Sequence, residues 1–212
     1  MQAVATRPSA EVAHPAAHAG EEQLRADFYR LLALPLSAPP TRDVAGAYAR
    51  LDAGESAPSS PLFKAVGRLA DGASVASPEE LVEDYHDLFI GVGRGKLVPY
   101  ASYYLTGFLQ EKPLAKLRQD MARLGVAAAS GSPDPEDHVA SVLDIMAGLI
   151  DGRFGATGLE QQKKFHLTHV ASWMPIFFGD LERTATTSYY AALGASGRAF
   201  LDIESAAFEM VA

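Results

Sequence analysis

Three groupings in this chain of 212 residues carry side chains able to do chemistry. Asp137 and His138 are adjacent, and a carboxylate beside an imidazole is the minimum equipment for proton transfer near neutral pH. His166 and His169 stand three apart, a spacing that puts two imidazoles on one helix face, as zinc sites often require. Gly91-Val92-Gly93-Arg94-Gly95-Lys96 sets three glycines among two cations, which is how backbone amides gather around a phosphate. Each also has a plainer reading. Asp137 falls at the third position of a helix capped by Asp134 and begun at Pro135, where a carboxylate binds free amides. No cysteine or nearby carboxylate completes a metal set with the histidines, and Phe165, Val170 and Trp173 around them are core residue types. The glycine loop follows a helix instead of a strand, and Leu97 stands after Lys96 where a phosphate loop has Ser or Thr. With no GxSxG and no HExxH either, the sequence points away from an enzyme.

A fourth grouping suits binding. Asp84, Tyr85, Asp87, Leu88 and Phe89 end an acidic helix, and Pro99, Tyr100, Ser102 and Tyr104 open an aromatic run just past the glycine loop. Leu81, Tyr85, Leu88 and Phe89 share a helix face, while Glu79, Glu83, Asp84 and Asp87 fall mostly elsewhere. An acidic helix, a pliable loop and an aromatic wall side by side form a groove for something both apolar and cationic. Tyr103, Tyr104 and Phe108 taken singly are equally well explained as core.

The elements that must position these residues all read as helical. Residues 1–20, alanine-rich and broken by proline, form a disordered tail. Leu24, Phe28, Leu31 and Leu32 make the stripe of a first helix that starts near Glu21 and stops before Pro35. A second helix runs from about Pro40 to Leu51. A third starts at Ser60-Pro61 and closes at Gly72. Ser77, Pro78 and Glu80 spell a capping box for the acidic helix, which Gly91 ends. Pro113 to Leu124 form another helix, followed by a small, polar linker. Val139 to Ile150 give a broadly apolar helix. Leu159 to Trp173 form a further one, interrupted at Pro175, and the last helices span roughly Ser188 to Val211, with Tyr190, Leu193, Phe200, Ile203 and Phe208 inward. No segment alternates with period two. The expected fold is therefore all-α, a single helical domain over 21–212 of about ten helices, in two halves joined by a hinge near 126–138.

Composition narrows the function. A net charge of −8 argues against nucleic acid, because no basic stripe is available to displace counterions from phosphates. No apolar run approaches the roughly 20 residues that span a bilayer. The N-terminal stretch has the pattern of neither a Sec nor a twin-arginine export signal, and zero cysteines fit a reducing compartment, so the expected location is the cytoplasm.

Three motifs, in order, carry a family resemblance. Asp84 to Gly91 reads DYxxLFxG and is followed by PYxSxYL at Pro99 to Leu105. DPEDH occupies Asp134 to His138. The C-terminal FHLTHVASWMPIFFGD region has the matching phenylalanines, histidine and tryptophan. Together, over roughly residues 22–205, they resemble the TorD/DmsD/NarJ family of molybdoenzyme-specific maturation chaperones. The resemblance implies a non-enzymatic protein that binds the twin-arginine signal peptide and the apo catalytic subunit of a molybdenum or tungsten oxidoreductase, of the TMAO/DMSO reductase or formate dehydrogenase type. It places the Asp137-His138 pair at the hinge, in recognition of the signal peptide. It calls for no cofactor, permits weak guanine nucleotide binding, and is compatible with a monomer or a domain-swapped dimer. A helical adaptor for a folded partner, with no part in cofactor insertion, is the alternative.

Overall fold

The computed structural model describes residues 15–52, 60–127 and 134–210. Among these residues ten α-helices follow one another: α1 (Pro15–Ser37), α2 (Arg42–Tyr48), α3 (Pro61–Val75), α4 (Pro78–Tyr85), α5 (Ala101–Thr106), α6 (Lys112–Arg123), α7 (Val139–Ile150), α8 (Leu159–Phe165), α9 (Met174–Thr184) and α10 (Ser188–Glu209). Helices α4 and α8 each run on into a single π-helical turn, His86–Ile90 and His166–Val170. No strand occurs among the described residues, in keeping with the all-α expectation.

Where the caps are strong, the boundaries fall as expected. Ser77 accepts from the Glu80 amide while the Glu80 carboxylate accepts from the Ser77 amide, and Pro78 opens α4. Other boundaries differ. Helix α1 begins at Pro15, inside the stretch assigned to the tail; residues 1–14 lie outside the described ones. It also runs through Pro35, whose ring nitrogen cannot donate to the Leu31 carbonyl. The Tyr48 hydroxyl from α2 donates to that carbonyl instead, and the Tyr190 hydroxyl donates to the Pro35 carbonyl at 3.2 Å. Two side chains from elsewhere thus make a proline tolerable near the end of a helix. Gly72 does not close α3 but lies within it, where a Cβ would come within 2.7 Å of the Tyr189 amide nitrogen on α10.

Packing does not divide the chain at residues 126–138. The most extensive contacts join α3 to α10, α1 to α7 and α9 to α10. Early and late helices are interleaved, and one core holds Tyr29, Leu32 and Leu36 of α1, Leu69 of α3, Leu143 and Met146 of α7, and Tyr189 and Tyr190 of α10. That core has one centre, drawn from helices on both sides of residues 126–138. The middle of the expected hinge, 128–133, lies outside the described residues. Two side chains expected in the core face solvent, Leu24 at 72% and Ile203 at 49% exposure.

Candidate functional site

The PYxS and DPEDH motifs meet. The Val139 amide donates to the Pro99 carbonyl at 2.8 Å, and the Ala101 amide donates to the Asp137 carbonyl at 3.0 Å. These form a short antiparallel bridge between Tyr100 and His138, whose rings stack edge-on with centroids 5.1 Å apart. The bridge uses backbone groups that a helix would need, so α7 starts at Val139 and not at Pro135. Asp137 uses Oδ2 to accept from the Ser102 amide at the start of α5, at 2.9 Å. Ser102 Oγ in turn accepts from the Glu111 amide, and Tyr100 donates to Asp134 Oδ1 at 2.6 Å. Burial and that carboxylate both push the Tyr100 hydroxyl above its ordinary pKa.

Among the described residues no hydrogen bond joins Asp137 to His138. His138 caps α7, its Nδ1 accepting from the Ala140 amide at 3.3 Å, which requires that nitrogen to be unprotonated. Burial lowers the imidazole pKa in the same sense, against the opposing pull of Asp134 and Asp137. Asp137 is 1% exposed, and its Oδ1 has no hydrogen-bond partner among the described residues. An acid/base pair is therefore ruled out in this arrangement.

The acidic helix is anchored through Asp84. This carboxylate is buried and accepts four hydrogen bonds from the amides and hydroxyls of Thr186 and Thr187, which lead into α10. The π-turn that follows leaves the Asp87 and Leu88 carbonyls free, and the amides of Lys96 and Leu97 donate to them at 3.1 and 2.8 Å. Gly95 has no room for a side chain there, since a Cβ would come within 2.5 Å of Phe89 backbone. The loop is thus fixed at its base, and only its tip, Val92 to Arg94, projects. Arg94 lies over the Tyr103 ring, and Lys96 pairs with exposed Asp87 at 3.4 Å.

These contacts correct the expected groove. Leu88 and Ser102 are sealed at 0% exposure, Asp84, Tyr85, Pro99, Asp137 and His138 are buried, and Phe89 packs half-buried against Tyr85 and Tyr190. Tyr104 rests on Trp173 and Phe177 and donates to Asp180. Most of the predicted residues therefore build a scaffold, with Tyr100, Tyr103 and Tyr104 half-buried against it. Left exposed beside it are Leu105, Phe108 and Leu109, with Phe108 at 70%.

The hollow lies on the other side of the same knot. One chamber of about 640 Å³ opens between α1, α2 and α7, lined by Leu31, Leu34, Tyr48, Leu51 and Ala140, with Asp27 and Arg30 on its rim. A second, of about 540 Å³, opens beside Asp134, Pro135 and Glu136, with Arg118 and Arg153. Both are lined by Ser141 and Asp144, about one and two helical turns along α7 from the bridge. An apolar chamber thus adjoins a charged one. Sequence reasoning put Leu31, Tyr48 and Leu51 in the core and passed over Ser141 and Asp144. A signal was available in the run Leu31-Leu32-Ala33-Leu34-Pro35-Leu36, which wraps apolar side chains around more than one face of α1.

The two histidines separate instead of converging. His166 sits between the Tyr29 hydroxyl and Ser205 at 3.1 Å each, whereas His169 meets Asp120 at 2.9 Å. No cluster able to hold a metal ion occurs among the described residues.

Comparison with known proteins fits this fold and these motifs. Residues 55–179 match the family model described as nitrate reductase delta subunit. The chaperone protein TorD of Vibrio cholerae serotype O1 (strain O395) is 32% identical over 124 residues, 55% of this chain and 56% of that protein. That of Vibrio parahaemolyticus serotype O3:K6 is 28% identical over 157 residues, 68% and 71% of the two chains. The chain thus spans little more than half the length of the first of these relatives. A crystal structure of an Archaeoglobus fulgidus protein assigned as a redox enzyme maturation protein superposes with a TM-score of 0.59 at 18% identity, covering 84% of this chain and 94% of that one, and shares the fold. With the family model spanning more than half of the chain, this protein belongs to the nitrate reductase delta subunit family, the group that includes TorD and NarJ.

Proposed function

We propose that the chain is a cytoplasmic chaperone that holds the apo form of a molybdenum or tungsten oxidoreductase by its twin-arginine export leader until the cofactor is inserted. The observation that carries this reading is the pair of adjoining chambers on α7, one apolar and one charged. An export leader has the same order, with arginines followed by an apolar stretch. Family membership and relatives named as chaperones favour a binding protein over an enzyme.

Magnitudes say which chamber supplies affinity. An exposed arginine–carboxylate pair contributes about 0 to 1 kcal/mol, whereas burying a leucine contributes about 1.5 to 3 kcal/mol. The apolar chamber should therefore dominate, with the carboxylates setting orientation and salt dependence.

Titration calorimetry with a synthetic leader of the Arg-Arg-plus-apolar type tests this. Leu34 lines the apolar chamber yet is 50% exposed, so Leu34→Asn leaves the core intact. That variant should bind about tenfold or more weakly. Ile176→Asn, at a 60% exposed position on α9 that lines neither chamber, should bind as the parent does. Equal effects of the two, or no binding by the parent, would sink the reading. The exposed Leu105, Phe108 and Leu109 favour a second reading, an adaptor that prefers a folded partner. It would show as stronger binding of mature enzyme than of the isolated leader.

A further inference from the structure

The charged chamber already contains an arginine in a shaped seat. From the turn after α7, Arg153 reaches back so that Nη2 donates to the Asp144 carbonyl at 2.6 Å and lies 2.9 Å from the Asp144 carboxylate. Its guanidinium lies over the Phe154 ring, 4.9 Å from the centroid. The floor is Gly148, where a Cβ would come within 2.6 Å of Arg153 Nη2. A carboxylate, a carbonyl, an aromatic face and a residue without a side chain together satisfy a planar, multiply donating cation in a way an ammonium could not reproduce. A second arginine behaves similarly, with Arg118 on Glu136 at 2.8 Å in the same chamber. Both side chains are substantially exposed, Arg153 at 42% and Arg118 at 57%, so neither is locked in by packing.

We propose that the Asp144–Phe154–Gly148 seat is a guanidinium-binding site and that Arg153 is its resident occupant, a built-in competitor that an arginine of a bound peptide must displace. The part that concerns a peptide rests on the function proposed above; the seat itself does not. Exchange of one guanidinium for another conserves charge and hydrogen bonds, so the site discriminates arginine from lysine without holding either tightly. Arg153 then sets a threshold that a leader passes only with help from the apolar chamber.

The first test needs no cargo. Emptying the seat by Arg153→Ala should let N-acetyl-arginine amide, at about ten times its Kd, raise the thermal midpoint by roughly 3 to 6 °C. The parent and the Arg153→Ala/Asp144→Asn double variant should not respond, nor should any protein respond to N-acetyl-lysine amide. The second test uses the leader peptide. Arg153→Ala should tighten its binding about fivefold beyond Lys64→Ala, a charge-matched change at an exposed site on α3 that lines neither chamber. A response to the amide without leader binding would keep the seat and remove the chaperone reading. No response to arginine amide, or equal responses to arginine and lysine amides, would overturn the inference whatever the leader does.

Discussion

His166 shows how a single buried group sets the response to acid. It is fully enclosed by Tyr29, Ser205 and the Phe208 ring, with Glu204 and Arg25 as its charged neighbours. Burial lowers its pKa from 6.5 to about 4, with Glu204 pulling the other way. The unfolded imidazole takes a proton below about 6.5 and the folded one only below about 4, so stability is complete above 6.5 and declines as pH falls between them. The loss is up to about 3 kcal/mol for this residue. His138 and His169 are lowered by burial as well and add to the same slope. Burial would raise Asp120, Glu136 and Asp151, but hydrogen bonds from Lys116, Arg118 and Arg30 hold them below their ordinary values, and they lose their contribution only below about 4. Urea midpoints at pH 7 and pH 5 should therefore differ clearly in the parent and by a smaller amount in His166→Asn. An identical difference in both would assign the acid limb to other groups.

At the level of elements, glycine does opposite jobs in two neighbouring helices. Gly72 lets α3 and α10 approach until a Cβ would overlap the Ser188-Tyr189 backbone, whereas Gly46 in α2 faces only the end of Arg50, 3.6 Å away. Alanine is the better helix former by about 1 kcal/mol. Gly46→Ala should accordingly raise the unfolding free energy by about 0.5 to 1 kcal/mol. Gly72→Ala should lower it by about 2 kcal/mol or more, because backbone cannot yield as a side chain can. Equilibrium urea titrations with an unchanged m-value would read both. The contrast also marks what was legible beforehand. Caps are local, so Ser77, Pro78 and Glu80 announced α4. Gly72 resembled a terminator because its partner is more than a hundred residues away. Asp84 looked like one carboxylate among several on a solvated face, and only Thr186 and Thr187 make it an anchor. The π-turns left no trace in periodicity, yet they decide which carbonyls are free for the following loop.

For the whole molecule, the interleaving of early and late helices has a thermodynamic signature. If α1 lies on α7 and α3 on α10, neither half retains a core without the other. Unfolding should be a single transition, with the fluorescence of Trp173, the chain's one tryptophan, coinciding with far-UV circular dichroism. Two separated transitions would restore the picture of two halves about a hinge. The family was readable from three motifs, and the helical class from apolar spacing with no period-two alternation. The hollow was not, because it forms between α1, α2 and α7, whose lining residues carry no motif and come together only in three dimensions.

The stapled base of the Gly91–Lys96 loop separates two design variables. Because Lys96 and Leu97 close onto Asp87 and Leu88, the strain of any change at Val92 or Gly93 ends at that clasp and does not reach α4 or α5. The crown of the loop is free to differ in length and chemistry from one relative to the next while the frame beneath it stays the same.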